Sequence, residues 1–461
     1  MERRLLLLSM LLLLTISFVS LMTSVSAQQG LTVVEIWNNA MSVVDLAVSR
    51  DGSSIAVVNS TGLYFFDSHN PVARWWYLNG TTSEKFMSVA ISANGHYVIV
   101  GNNTIGSIYY FDGGNFRTGL QSAGSWKWVS KHFVGDVERR TIDISDDGQF
   151  VVVGGTGDKV YYFFGCTSRV GIGNPWDWIS EQQSGFIHAV DISPDGKYVA
   201  AGGLGSGVVF FADANVAGVS PRVPNWKSAS NIFVVDVAVS HDGYAVAVAA
   251  ADVSNPDTTL HYWANAKSLT GNPLNTWNRT ILFGCVDASG DGDRVVAGTG
   301  MMIGSLHFWN DAKTLVGKDI AETWIRLPDE LVFDVGTSDD GNIIAAVVPF
   351  TAVPYHAAGE PLFSNGPVGP GKVYFYTAAG DLFGNFTTSS GVNKLSMSGS
   401  GGITAVGGDG LRSLYVFEIP MAVGGEVIPV MGGGQFVSIL LPLVLLAGAG
   451  CSLFLRKRRV Q

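Results

Sequence analysis

The sequence predicts an all-β, eight-bladed β-propeller, and three observations predict it. A Ser-x-Asp-Gly-like turn recurs along the chain, each copy is flanked by two short apolar strands, and an aromatic-rich strand follows each pair. The clearest turns are Ser49 to Gly52, Ser145 to Gly148, Ser193 to Gly196, Ser240 to Gly243, Ser289 to Gly292 and Ser338 to Gly341, with looser copies at Ser92 to Gly95 and Ser398 to Gly401. Their centres, at residues 51, 94, 147, 195, 242, 291, 340 and 400, lie 43 to 60 residues apart, the length of one four-stranded blade.

Each element follows from local chemistry. Gly takes φ > 0 freely and Asp bonds its own backbone, so Asp-Gly suits a tight hairpin. Before each turn the sequence alternates, as in Val44, Leu46, Val48 against Asp45, Ala47, Ser49, which is strand period. Apolar second strands follow, such as Ile55 to Val58, then aromatic third strands such as Leu63 to Phe66, Val208 to Phe211 and Leu306 to Trp309. The fourth strand carries Trp in most copies, Trp75, Trp128, Trp178, Trp226, Trp277 and Trp324 among them, with Phe386 in the weakest.

A further fourth-strand copy, Val34 to Trp37, precedes the first blade, and the last repeat ends at Phe417 with none after it. An N-terminal strand completing the final blade would join both chain ends in one sheet and leave no open edge between first and last blades. Seven blades is the alternative if the copy around Ser398 forms no blade. Between residues 31 and 420 no helix-period segment of useful length appears, and 47% hydrophobic content with 57 Gly suits many turns and much packing between sheets.

The two ends read as membrane-topology signals. Arg3 and Arg4 precede an apolar run that closes on Val25-Ser26-Ala27, so residues 1–27 are expected to be an export signal or, uncleaved, a first anchor. After a Gly-rich linker, 421–435, Phe436 to Leu455 gives 20 uncharged residues, enough to span a bilayer core of roughly 30 Å. Arg456, Lys457, Arg458 and Arg459 open the tail 456–461. Positive residues favour the cytoplasmic side, which predicts a single-pass type I protein of the cell membrane with its propeller, 31–420, outside. The order of apolar span and basic cluster also resembles C-terminal sorting tails of microbial surface proteins, although no well-defined sorting motif stands before it.

Composition narrows the partners. The chain has 28 basic and 38 acidic residues; without Arg3, Arg4, the four tail bases and Glu2, 22 stand against 37, a net charge of −15. Such a surface argues against nucleic acid and anionic lipid headgroups, and fits cationic partners, metal ions or a salty medium. Cys166 and Cys285 fall in blades three and six, too far around the ring for a disulfide, and are expected to pack as small apolar residues. Sequons at Asn59, Asn79, Asn102, Asn278 and Asn385 are compatible with a glycoprotein.

Catalytic motifs are absent: there is no His-Glu-x-x-His, Cys-x-x-Cys, Gly-x-Ser-x-Gly or phosphate loop. The histidines stand singly, and the matching places of His261 and His307 in third strands read as repeat inheritance. The acids of the innermost strands form a clearer pattern. Asp45, Asp236 and Asp334 lie six positions before the turn Asp in blades one, five and seven; Asp143, Asp191 and Asp287 lie four before it in blades three, four and six. Blade two has Ser88 and blade eight Lys394 at the six-back position. Innermost strands surround the channel, so these carboxylates either bond backbone groups of neighbouring strands or form a ring that holds a divalent cation. No other cofactor is expected. Blade seven is interrupted between its second and third strands by Phe350 to Gly371, where Tyr355, His356, Glu360 and Phe363 are candidate partner-binding residues.

The turn copies, strand spacing and Trp-bearing fourth strands resemble the WD40-like and quinoprotein-like (PQQ-like) propeller repeats of prokaryotic, above all archaeal, cell-surface proteins, over residues 31 to 420. The repeats lack the Gly-His and terminal Trp-Asp pairs of true WD40 sequences, since Trp176-Asp177 falls on a fourth strand. The WD40 resemblance implies a non-catalytic scaffold that binds a protein or carbohydrate partner. The quinoprotein resemblance implies the alternative, a quinone- or metal-dependent extracytoplasmic oxidoreductase, although the vicinal cysteine pair and the Thr-Gly-Lys turns of that group are missing.

Overall fold

The computed structural model describes residues 32–420 apart from 39–42, 79–84, 104–105, 123, 132–136, 138–140, 174, 184, 219, 229–231, 253–258, 282, 301–303, 350–369, 390 and 409–412. The leader, linker, span and tail expected from the sequence, and Tyr355, His356, Glu360 and Phe363, lie outside the described residues. Among the described residues no helix is long and apolar enough to cross a membrane. Helical structure there is confined to three 3₁₀ turns at Cys166–Ser168, Ala266–Ser268 and Ala312–Thr314.

Thr32–Glu418 forms eight antiparallel sheets in chain order. Blade one runs Asp45–Val48, Ser54–Val58, Gly62–Asp67 and Trp75–Leu78, inside to outside, and the next six repeat the order. Blade eight is built from Lys394–Met397, Ile403–Gly407 and Ser413–Glu418, and its outer strand is the N-terminal Thr32–Asn38, paired from Thr32 opposite Glu418 to Asn38 opposite Ser413. The degenerate copy around Ser398 is therefore a full blade, and the one-plus-three closure expected from the sequence is present. Blades one and eight share a core in which Leu46, Ile55 and Val57 meet Ile403, Ala405 and Val416.

The recurrent turn is a four-residue loop whose hub is its serine. Ser193 Oγ donates to Asp195 Oδ1 and accepts the amide of Tyr198, while Asp195 Oδ1 also accepts the amide of Lys197. The same relay recurs at Ser49, Ser145, Ser240, Ser289 and Ser338, whose side chains are buried. Gly196, at φ 72, occupies the left-handed region that a side chain would strain.

The fourth-strand tryptophans lock one blade to the next. Trp178 stacks on Tyr162 of its own blade at 4.9 Å and meets Phe211 of the next blade at 5.0 Å, while its indole N–H donates to Ala214 O at 2.9 Å. The same donation runs from Trp75 to Gly114, Trp128 to Cys166, Trp226 to Ala266, Trp277 to Ala312 and Trp324 to Ala378. Blade seven has Phe386 instead, packed on Tyr415 and Phe417. The connection between third and fourth strands also reaches back to the previous blade. Gly119–Gln121 pairs parallel with Trp75–Leu78, Gly171–Ile172 pairs with Trp128–Ser130, and single parallel bridges join Ser180 to Arg222, Trp226 to Gly271 and Trp277 to Gly317. Five outer edges are thus covered, which removes pairing sites for other chains.

Cys166 and Cys285 are both buried, as expected. Two sequons are not surface features. Asn59 is buried and its Oδ1 caps the turn by accepting the amides of Thr61 and Gly62, and Asn102 is fully buried. Asn278 is half-buried with its Oδ1 on the Asp319 amide, Asn385 is exposed, and Asn79 lies outside the described residues.

Candidate functional site at the propeller axis

One end of the channel is closed by the second residue of each turn. Their main chains link around the axis: Ala93 N–H to Asp146 O, Asp146 to Pro194, His241 to Gly290, Gly290 to Asp339, Asp339 to Gly399, Gly399 to Arg50, and Asp51 to Ala93, at 2.7 to 3.0 Å. The gap falls between Pro194 and His241, because proline has no N–H to give.

The side chains at these positions alternate. Blades one, three, five and seven carry Arg50, Asp146, His241 and Asp339; blades two, four, six and eight carry Ala93, Pro194, Gly290 and Gly399. Arg50 reaches across the ring: Nη1 donates to Asp146 Oδ2 at 2.6 Å, Nε to Asp339 Oδ2 at 2.8 Å, and Nη2 to His241 Nδ1 at 2.9 Å. Blade five faces blade one across an eight-membered ring, so the guanidinium corks this mouth. The small residues make room for it. A Cβ on Gly290 would stand 2.2 Å from His241 Cε1, and one on Gly399 would stand 2.4 Å from Asp339 Oδ2.

The cork sets its own charge states. Burial alone would lower the Arg50 pKa, but the bond to Asp339 and the charge of Asp146 outweigh it and the value is raised. Burial, then the Arg50 charge, lower the pKa of His241 against the opposing pull of Asp339 and Asp146. A neutral imidazole accepting from Arg50 at Nδ1 keeps its proton on Nε2, 3.5 Å from Asp339 Oδ1.

Further along the channel stand the six acids expected from the sequence, and their carboxylates join blades. Asp45 accepts the amide of Val89, Asp143 of Ile192, Asp191 of Val239, Asp236 of Val286, Asp287 of Thr337 and Asp334 of Leu395, at 2.6 to 3.1 Å. Ser396 closes the circle by accepting the amide of Val48 at 3.0 Å. Six-back acids take the amide five before the next turn Asp, and four-back acids take the amide three before it, so either placement makes one link. The junction of blades two and three has the short Ser88, whose Oγ meets no partner.

Each of the six acids thus makes a backbone bond to the neighbouring blade. Among the described residues no group of three or more His, Cys, Asp or Glu side chains stands close enough to hold a metal ion. Removal from bulk water raises Asp143 to about 6 and Asp287 to about 7, and holds Asp191 well above its ordinary value, with Asp143 hydrogen-bonded beside it. Asp45, Asp143, Asp191, Asp287 and Asp334, with Ser88, Ser396 and Lys394, line a chamber of about 270 Å3. Asp236 is outside that lining.

A second polar cluster, unread in the sequence, lies between blades five and six. His307 donates or accepts at both nitrogens, Nδ1 to Glu322 Oε1 at 2.8 Å and Nε2 to Ser305 Oγ at 2.6 Å, and Arg279 Nε donates to the same Glu322 oxygen at 2.9 Å. Burial would raise the Glu322 pKa, but the bonds to His307 and Arg279 outweigh it and lower it. The imidazole is 2% exposed and stacks with Trp309, so the cluster works as an inter-blade tie.

No family model matches the chain, and no curated protein matches it. Among solved structures it is similar to the C-terminal WD40 domain of Sif2, with a TM-score of 0.60 and 13% identity over 84% of this chain and 99% of that one. A chain of a mitotic checkpoint complex gives a TM-score of 0.49 and 13% identity over 84% of this chain and 94% of that one. At such identity the first likeness shows the fold alone: a WD40-like eight-bladed propeller.

Proposed function

We propose that this chain is an interaction scaffold held on the outer side of the cell membrane by its span 436–455, binding a protein or glycan partner through one face with no catalytic step. The observation that carries the reading is the use of the axis. Six carboxylates and Ser396 are engaged by main-chain amides, and Arg50 corks one mouth, so the machinery of the channel holds the ring together. What varies from blade to blade is left to the loops. The 22-residue interruption Phe350 to Gly371, with Tyr355, His356, Glu360 and Phe363, is the largest such variation in the sequence. Loops between second and third strands emerge on the face that also carries the inter-blade connections, opposite the Arg50 cork.

The test is capture from detergent-solubilised envelope by the full-length protein and by a variant lacking 351–370. A partner retained by the first and lost by the second supports the reading. Absence of any partner, with calcium and a visible chromophore bound to the purified protein, replaces it with the quinoprotein-type oxidoreductase. Removal of 436–461 should release the protein into the medium; retention in the membrane fraction would contradict the anchor.

A further inference from the structure

We infer that the outer edge of blade seven is a docking site for one strap of this same chain, residues 425–428. Leu382–Thr387 is the longest fourth strand of blades one to seven, and it ends its sheet: Lys372–Thr377 pairs with it on one side and no described strand on the other. It is exposed or half-buried along its length, so the outward N–H and C=O groups of alternate residues are open to a further strand. The fold shows at five junctions what such an edge takes. An extended piece lies parallel to it, supplied by the connection that leaves the third strand of the next blade. Blade seven's own connection, 378–381, is too short to reach back and leaves none on blade six.

The register names the occupant. In four blades the third-strand residue paired with the one four places after the turn's third residue is Phe111, Phe163, Trp263 or Trp309. Eight residues further on stand Gly119, Gly171, Gly271 and Gly317, each beside the fourth-strand Trp of the preceding blade. All four have positive φ, at 68, 83, 69 and 121, which glycine alone adopts at low cost. In blade eight the same place is Phe417, paired with Thr404, and eight residues on stands Gly425, followed by Glu426, Val427 and Ile428 before Pro429. Blade eight takes its fourth strand from Thr32–Asn38, so the chain leaving Phe417 has none to enter. Buried Ile419 stands where the other connections turn on a left-handed Gly113, Gly165, Asn265 or Asp311, so the path to the edge differs. Blade four shows that the path can vary while the strap stays: its bridge falls on Arg222, eleven residues after Phe211. In blade seven Gly384, opposite Phe375, holds the Trp position. Parallel pairing then sets Gly425 beside Gly384 and Glu426 beside Asn385, as Gly119 and Leu120 stand beside Trp75 and Trp76.

The test is disulfide formation in the full-length protein carrying Cys451→Ser. Neighbouring strands lie roughly 4.8 Å apart, within the reach of a disulfide, and Asn385 is exposed, so its replacement spares the fold. Asn385→Cys with Glu426→Cys should close within one molecule at least tenfold faster than Asn385→Cys with Gly434→Cys. As a second readout, the main-chain amides of 384–387 should exchange hydrogen at least tenfold more slowly in the full-length protein than in a variant lacking 421–431. A 385–426 bridge formed only between two molecules would give the edge to a second copy and overturn the inference. Equal closure rates for the two pairs, or exchange unchanged by the deletion, would overturn it as well.

Discussion

The rim and the axis of this propeller join the same blades by opposite means. At the rim one device is repeated almost unchanged across six junctions: a buried Trp between two aromatic rings, its N–H on a carbonyl of the next blade. At the axis the link recurs but its chemistry shifts, from six-back Asp to four-back Asp to Ser396, with one junction left open at Ser88. At the rim one side chain suits every junction; at the axis different side chains make the same link because either placement of the acid reaches an amide of the next blade.

The largest effect should come from breaking the rim. Trp178→Ala removes a fully buried ring and its hydrogen bond and should cost about 3 to 5 kcal/mol, read from the denaturant midpoint. Trp178→Phe keeps the stack and loses the indole donor, leaving the Ala214 carbonyl only the longer bond from Arg222 Nη1 at 3.4 Å, and should cost about 1 kcal/mol. Equal losses for the two would show that the hydrogen bond, not the ring, is the lock.

Next comes the axis, where the effect depends on pH. The native pKa of Asp287, about 7 against an ordinary 3.8, lies above that of the unfolded chain. Between those values the native state holds more protons, so this group's contribution to stability is full below about pH 4 and is lost as pH rises through 7. Asp143, at about 6, and Asp191, also raised, add to the same slope. Urea titrations from pH 4 to 8 should show the decline, shallower in Asp287→Asn. Stability rising across that range would contradict the burial of these acids.

A smaller effect is expected at the cork. Arg50 and its partners are 29 to 40% exposed, so each pair is worth less than about 1 kcal/mol. Arg50→Gln should barely move the midpoint while raising hydrogen exchange at the amides of Asp339 and Gly399. The smallest is a mass change: if the chain is glycosylated, Asn385 should carry sugar while Asn59 and Asn102 remain bare, as glycopeptide mapping would show.

What the sequence made legible was what repeats locally. The turn serine, Asp and Gly lie within four residues, so blade count and closure followed from spacing, and the six axial Asp were found by counting back from each turn. The cork was missed because its residues differ at every copy, and Arg50 meets His241 only once the ring closes. Alignment of the second turn residue would have exposed its alternation of charged and small side chains. Hydrogen bonds from Trp to a carbonyl 35 to 54 residues away leave no local pattern. The two- and three-residue straps are too short to show a period.

The central claim is that the axis holds the ring together and a loop-bearing face binds the partner. Partner capture by the 351–370 deletion and by Asp45→Asn, measured side by side against the full-length protein, tests it most directly. Capture kept by Asp45→Asn and lost by the deletion is the predicted result; capture lost by folded Asp45→Asn and kept by the deletion would contradict it.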